Sequence, residues 1–195
     1  MSKTLAALML TAVPLCAAAA PESYTLDPLH TFPNFMVEHL GLSMIYGRFD
    51  KSSGRFTIDR AAKTASLEVA VQTASVTTGD SDKGSRPRSR DEHLRSADFF
   101  NAAEFPQMTY KSTQVTFKGE TPASVEGNLT LLGVTRPLTL IVERFKCNPA
   151  QANRKERCGG SATGKLKRSE FGMKTGIPSV GDEITLLLGF EGDKD

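Results

Sequence analysis

The chain has 195 residues, with 24 Lys and Arg against 22 Asp and Glu and a formal net charge of +2. Charges so balanced and interspersed exclude the broad basic face that nucleic-acid binding requires. Three cysteines and three histidines leave little material for metal or redox chemistry.

Lys3, the apolar run Leu5 to Leu15 and the small residues Ala17 to Ala20 have the layout of a cleaved export signal. The expected division is a leader over 1–20 and one domain over 21–195. The apolar run is too short to cross a bilayer as a helix, and Leu15 is too bulky to precede a lipid-modified Cys16. Export implies an oxidising compartment, and losing Cys16 leaves Cys147 and Cys158 as a pair. The segment between them is polar and turn-rich, which predicts a hairpin loop closed by a disulfide, stabilising by about 3 kcal/mol on the chain-entropy model. Neither a Cys-x-x-Cys spacing nor an adjacent histidine supports a redox or metal role for the pair.

Period-two alternation then recurs in eight segments: Phe35–Leu40, Tyr46–Asp59, Leu67–Gln72, Met108–Phe117, Ser124–Leu132, Leu138–Phe145, Ser161–Lys167 and Glu183–Phe190. Most connections between them are short. The pattern predicts an all-β fold, an eight-stranded antiparallel up-and-down barrel. One stretch departs from alternation. Between Asp91 and Phe100 charges and apolar residues fall at helical spacing, and Pro106 stops any helix before strand resumes. A single short helical insert, around 91–100, is expected to cover the mouth or base of the barrel.

An eight-stranded barrel stands at the border between an interior filled by its own side chains and one that houses a ligand. Alternation turns Phe35, Val37, His39, Phe49, Val69, Val71, Met108, Tyr110, Val125, Leu129, Leu131, Leu186 and Leu188 inward. Such a lining suits a greasy ligand and equally a packed core. Composition does not decide between them.

His30, His39 and His93 could in principle hold a metal with one position open, but none lies at a local ligand spacing from another. No Gly-x-Ser-x-Gly elbow or phosphate loop is present. Charged groups at strand ends are the better candidates for gripping a polar head group while an apolar tail enters the barrel. These mouth residues are His30, His39, Asp91, His93, Arg136 and Arg168. For Arg168, and for Arg95 of the insert, an Arg–carboxylate brace joining insert to barrel is the competing expectation.

The collinear pieces Tyr24-Thr25-Leu26-Asp27-Pro28-Leu29-His30, Phe35-Met36-Val37-Glu38-His39, Gly47-Arg48-Phe49, Arg90 through Phe100, Phe105-Pro106, Gly127-Asn128-Leu129-Thr130, Gly133 through Pro137 and Arg168 through Met173 carry a resemblance. Together, from Tyr24 to Glu191, the chain resembles the YceI-like family of exported, polyisoprenoid-binding barrel proteins. The resemblance implies a lipocalin-like barrel, a periplasmic location and an elongated cavity for a polyprenyl quinone or polyprenyl phosphate. It implies a carrier or sequestering agent rather than an enzyme. The partners expected are an isoprenoid lipid, transient contact with a membrane and, in many members, a second copy of the chain. No cofactor is expected beyond a bound polyprenyl lipid. Thr31 stands where Ser commonly follows the histidine, and the Cys147–Cys158 loop looks like an addition to the family pattern. Two other classes stay open: a metal-assisted enzyme acting on a lipid head group through His30, His39 and His93, and an interaction module with a filled barrel.

Overall fold

The computed structural model describes residues 20–195. The leader expected over 1–20 lies outside the described residues, apart from Ala20. Eleven strands are arranged in one antiparallel sheet: β1 (Glu22–Leu26), β2 (Phe32–His39), β3 (Ser43–Phe49), β4 (Ser52–Asp59), β5 (Thr64–Gln72), β6 (Val76–Thr77), β7 (Gln107–Lys118), β8 (Thr121–Leu131), β9 (Val134–Asn148), β10 (Arg157–Lys167) and β11 (Val180–Lys194). Among the described residues a single α-helix, α1 (Arg90–Arg95), is inserted between β6 and β7.

The barrel closes where β11 pairs with β1, and three of its eight staves are broken strands. β1 and β2 lie one after the other along β11, at Gly192–Lys194 and Val180–Gly189. β4 and β3 face them in the same way, and β5 and β6 face those. With each broken pair taken as one stave, the eight follow chain order. This is the expected antiparallel up-and-down barrel.

The breaks adjoin one another. Ser52 Oγ donates to Thr31 O at 2.6 Å, and Lys51 N donates to Ser75 Oγ at 3.1 Å. Each break replaces a ladder bond with a side-chain bond, so the wall bends without leaving buried donors unpaired. The alternating segment Tyr46–Asp59, in which Ser52-Ser53-Gly54 suggests a bulge or turn, is two strands, divided at Asp50-Lys51. β1 was not expected from the alternation, because its five residues bury only Tyr24 and Leu26 and form too short a run to stand out. The tight β8–β9 turn has Leu132 and Gly133 at φ 52° and 72°, the left-handed pair that matches the twist of a hairpin.

The helical insert is shorter than its pattern suggests. Ser89 and Glu92 form a reciprocal capping box that starts α1, and Ser96 ends it after six residues. Ser96 Oγ donates to His93 O at 2.7 Å, a local bond that competes with helix continuation. Residues 96–100 continue as turns, delivering Phe100 into the barrel end, edge-on to Phe49 with ring centroids 5.2 Å apart.

At the other end Cys147 and Cys158 are direct cross-strand partners on β9 and β10, joined as a disulfide with Cα atoms 4.0 Å apart. Buried aromatic side chains gather at both ends: Phe35, Phe49 and Phe100 beneath α1, and Tyr24 and Phe56 beside the disulfide.

Candidate ligand tunnel

The barrel is hollow, with two chambers in its interior. The lower chamber, toward the disulfide, is walled by Leu26, Phe56, Ile58, Leu67, Phe145 and Phe190 among others. The upper chamber, toward α1, is walled by Phe35, Phe49, Phe100, Leu129, Met173 and Leu186 among others. Pro33, Val69, Leu140 and Leu188 border both, so the chambers adjoin at a common waist. Their cavity volumes are about 110 Å³ for the lower and 150 Å³ for the upper chamber. Two chambers of this size, one after the other, give room for a chain that spans both.

The wall is also chemically quiet. Tyr110 Oη, on the inner face of β7, donates to Val125 O at 3.0 Å and Leu138 O at 3.1 Å. Burial, with Glu126 nearby, pushes the Tyr110 hydroxyl above its ordinary pKa and keeps it neutral. Asn34 Nδ2 donates to Phe32 O and Leu187 O, and Thr57 and Ser66 hydroxyls bond to one another at 2.7 Å. Among the described residues no buried side-chain nitrogen or oxygen lacks a partner. An occupant therefore finds apolar surface and no unmet hydrogen bond, which selects for hydrocarbon.

Of the lining expected from alternation, Phe35, Phe49, Val69, Val71, Met108, Tyr110, Leu129, Leu131, Leu186 and Leu188 all border the upper chamber. Val37 does not. It is buried, but it stands nearer the rim, paired with Ile45 and Ile184. Val125 borders the lower chamber. Sequence reasoning missed most of that chamber, including Phe56, Ile58, Leu67 and Phe145, although Phe56 and Ile58 sit on the same alternation. It also missed Phe100 and Met173, which arrive from turns and carry no period.

The mouth residues fare differently, and only Arg168 borders a chamber. Its guanidinium is 2% exposed and donates to Gly181 O, Met173 O, Thr175 O and Val180 O at 2.8–3.1 Å. Burial pulls its pKa below the ordinary arginine value, with Asp182 opposing that shift. These bonds tie the 3-10 turn Arg168–Phe171 to the start of β11, so Arg168 is first a brace. Asp91 is 1% exposed and is not at a mouth. It accepts from Thr77 Oγ1, Thr78 N and Thr78 Oγ1 at 2.7–3.0 Å, fixing the loop into α1. Arg136 is exposed and donates weakly to Glu170 O at 3.4 Å.

The three histidines are not brought together. His30 lies beside Asp27, with Nδ1 2.7 Å from its carboxylate, and borders an outer cleft next to the cysteine loop. His39 ends β2 at the opposite end, paired with Ser43 and Val180. His93, on α1, has Nε2 2.9 Å from Asp98 and stands edge-on to Phe99. The metal-assisted enzyme considered from sequence therefore has no centre in these residues. Among the described residues the cluster of ligating side chains is Cys147, Glu156 and Cys158, and its sulfurs are bonded to each other.

The model of the YceI-like domain matches residues 24–191, nearly all of the barrel. Protein YceI of Salmonella arizonae is 37% identical over 192 residues, covering 97% of this chain and 94% of that protein. The crystal structure of a Campylobacter jejuni YCEI protein superposes with a TM-score of 0.66 at 30% identity, covering 81% of this chain and 90% of that one. A polyisoprenoid binding domain from Saccharophagus degradans, implicated in plant cell wall breakdown, shares the fold with a TM-score of 0.61 at 18% identity, covering 88% of this chain and 98% of that one.

Proposed function

Because the chain belongs to the YceI-like family, we propose that its tunnel holds the tail of an isoprenoid lipid and that the protein acts as a carrier or sequestering agent. The observation that carries this reading is the shape and chemistry of the interior. Two adjoining chambers are walled by apolar side chains, and the buried polar side-chain atoms around them already have partners. The likeness of fold to a polyisoprenoid binding domain points the same way.

Energetics suit the role. Each ~100 Å² of tail surface withdrawn from water contributes about 2.5 kcal/mol, so a few isoprene units offset the ordering cost of binding. A tail needs nothing from the wall except room. Head-group discrimination between a polyprenyl quinone and a polyprenyl phosphate then falls to the upper end, where Arg168 supplies the cation nearest the tunnel. We place the mature protein in the periplasm, reached through the N-terminal leader, where a carrier would shield a water-insoluble chain between membranes.

The test is direct. Protein purified from an exporting bacterial host is extracted with organic solvent, and the extract is examined by mass spectrometry. A prenyl lipid near one per chain is expected, as is saturable uptake of an added polyprenyl quinone or polyprenyl phosphate. No extractable lipid together with no uptake of either would overturn the reading.

A further inference from the structure

The hairpin formed by β2 and β3 projects past the upper end of the barrel and leaves apolar side chains in solvent. At its turn Leu40 is 56% and Leu42 84% exposed. Outward positions along β3 continue the series with Met44, 40% exposed, and Tyr46, 61% exposed, and then Arg48. From Met44 to Arg48 the outward positions alternate along one strand, a span of about 14 Å. The order is aliphatic, aliphatic, aromatic with a hydroxyl, cationic. That is the order of environments met on leaving the hydrocarbon of a bilayer leaflet, crossing the interface and reaching the phosphates.

Two further features extend the series. Leu40 N donates to Ser179 O at 2.7 Å, tying the turn to the neighbouring loop, which exposes Ile177 and Lys174. Arg48 pairs in register with Thr77, from which the loop carrying Lys83, Arg86, Arg88 and Arg90 against Asp80 and Asp82 departs. Glu38, opposite Met44, and Asp50, 2.7 Å from Arg48, are opposing charges, and Asp80 and Asp98 pair with Arg86, Arg90 and Arg88; among the described residues Lys83 and Lys174 are the cations here with no carboxylate within 4.0 Å. The upper end of the series opens on a cleft lined by Asn34, Phe35, Tyr46, Gly47 and Arg48. Asn34 and Phe35 also border the upper chamber. These two residues of β2 therefore stand as the wall between the outer cleft and the chamber.

We propose that the β2–β3 hairpin is a docking element for an anionic lipid surface, with Leu40, Leu42 and Met44 in the acyl layer, Tyr46 at the interface and Arg48 at the phosphates. This rests on the reading of the tunnel as a lipid site. A second copy of the chain is the weaker occupant. The exposed large apolar side chains here are five, Leu40, Leu42, Met44, Tyr46 and Ile177, against the roughly 20–30 residues a side that a stable interface uses.

The full mature protein is to be sedimented with vesicles of phosphatidylcholine mixed with phosphatidylglycerol, and with phosphatidylcholine alone as control. Binding to the mixed vesicles is expected, weakened about tenfold or more in the double variant L42E/M44E, whose side chains lie outside the tunnel. R48Q is expected to weaken binding to the anionic vesicles about fivefold. Uptake of a polyprenyl quinone from detergent micelles should be unchanged in L42E/M44E, which shows that fold and tunnel are intact. Absence of binding by the unmodified protein, or binding undiminished in L42E/M44E, overturns the proposal. So does a light-scattering mass that halves in L42E/M44E while vesicle binding persists, since the patch would then be a contact between copies. Vesicle binding that depends on Leu42 and Met44, without any uptake of prenyl lipid, would uphold the docking element and remove the carrier reading instead.

Discussion

The ring of Phe35 lies over Gly47, in the space that a β-carbon on Gly47 would occupy. The two residues are register partners on β2 and β3, and Phe35 is also the side chain shared by the upper chamber and the outer cleft. Glycine here serves a close approach: it lets an aromatic ring form the wall where a second side chain would leave no room. Replacing Gly47 with Val should drive the ring out of place and destabilise the barrel by about 1–3 kcal/mol. The double variant G47V/F35A should recover part of that loss. A denaturation double-mutant cycle checks the pairing, and additive effects would refute it.

Arg168 and Arg136 should separate cleanly. Arg168→Met keeps much of the side-chain volume but leaves the carbonyls of Gly181, Met173, Thr175 and Val180 without their donors. Leaving buried acceptors unmet predicts a loss of about 3 kcal/mol or more. Arg136→Ala, which removes one long bond from an exposed side chain, should stay within about 0.5 kcal/mol. Urea midpoints for the two variants decide the matter.

The contrast also shows what a sequence discloses here and what it hides. Leu186 and Leu188 were legible as wall because a strand's period of two is a local property, written in neighbouring residues. Phe56 and Ile58 carry the same period and are legible as wall on the same ground. Arg168 and Asp91 were legible only as charged residues near strand ends. Their partners, Val180 and Gly181 for one and Thr77 and Thr78 for the other, lie 12 to 14 positions away, and no local pattern announces such bonds. Whether the barrel is full or hollow depends on its radius, set by strand number and tilt. Residue composition does not encode it.

The Cys147–Cys158 bond closes a loop with a sequence separation of 11. On the chain-entropy model that closure contributes about 3 kcal/mol. Comparing urea unfolding of the native protein with that of the C147S/C158S variant should show a loss of this size. The loop ends at the lower chamber's end of the barrel, so prenyl-lipid uptake under conditions where both forms are folded should be little changed. Abolished uptake with retained fold would assign the loop a role in the tunnel.

Acid should weaken the seam that closes the barrel. Arg157 donates to both carboxylate oxygens of Asp193 at 2.7 Å and approaches Asp27 at 3.0 Å. The Asp193 carboxyl is held below its ordinary pKa, first by its hydrogen bonds from Arg157 and then, against the cost of burial, by that guanidinium's charge. A carboxyl depressed in the folded state contributes stability above its unfolded pKa of about 3.9, and that contribution is lost as pH falls through the folded value. Below about pH 4 the melting temperature should therefore drop more steeply in the unmodified protein than in Asp193→Asn. Parallel curves would exclude this pair as a source of acid sensitivity.

The waist between the chambers offers the sharpest test of a continuous tunnel. Val69 borders both chambers, so Val69→Phe places a ring where a long tail must pass. Because the added atoms enter empty space, stability should change by no more than about 1 kcal/mol. A prenyl ligand short enough for one chamber should bind as before. A long one would leave part of its tail in water, and each ~100 Å² left there forfeits about 2.5 kcal/mol, so its affinity should fall by more than about tenfold. The ratio of long-chain to short-chain affinity is the informative quantity, since it cancels any general weakening. An unchanged ratio would mean that the tail occupies one chamber alone and that the other is space the ligand does not use.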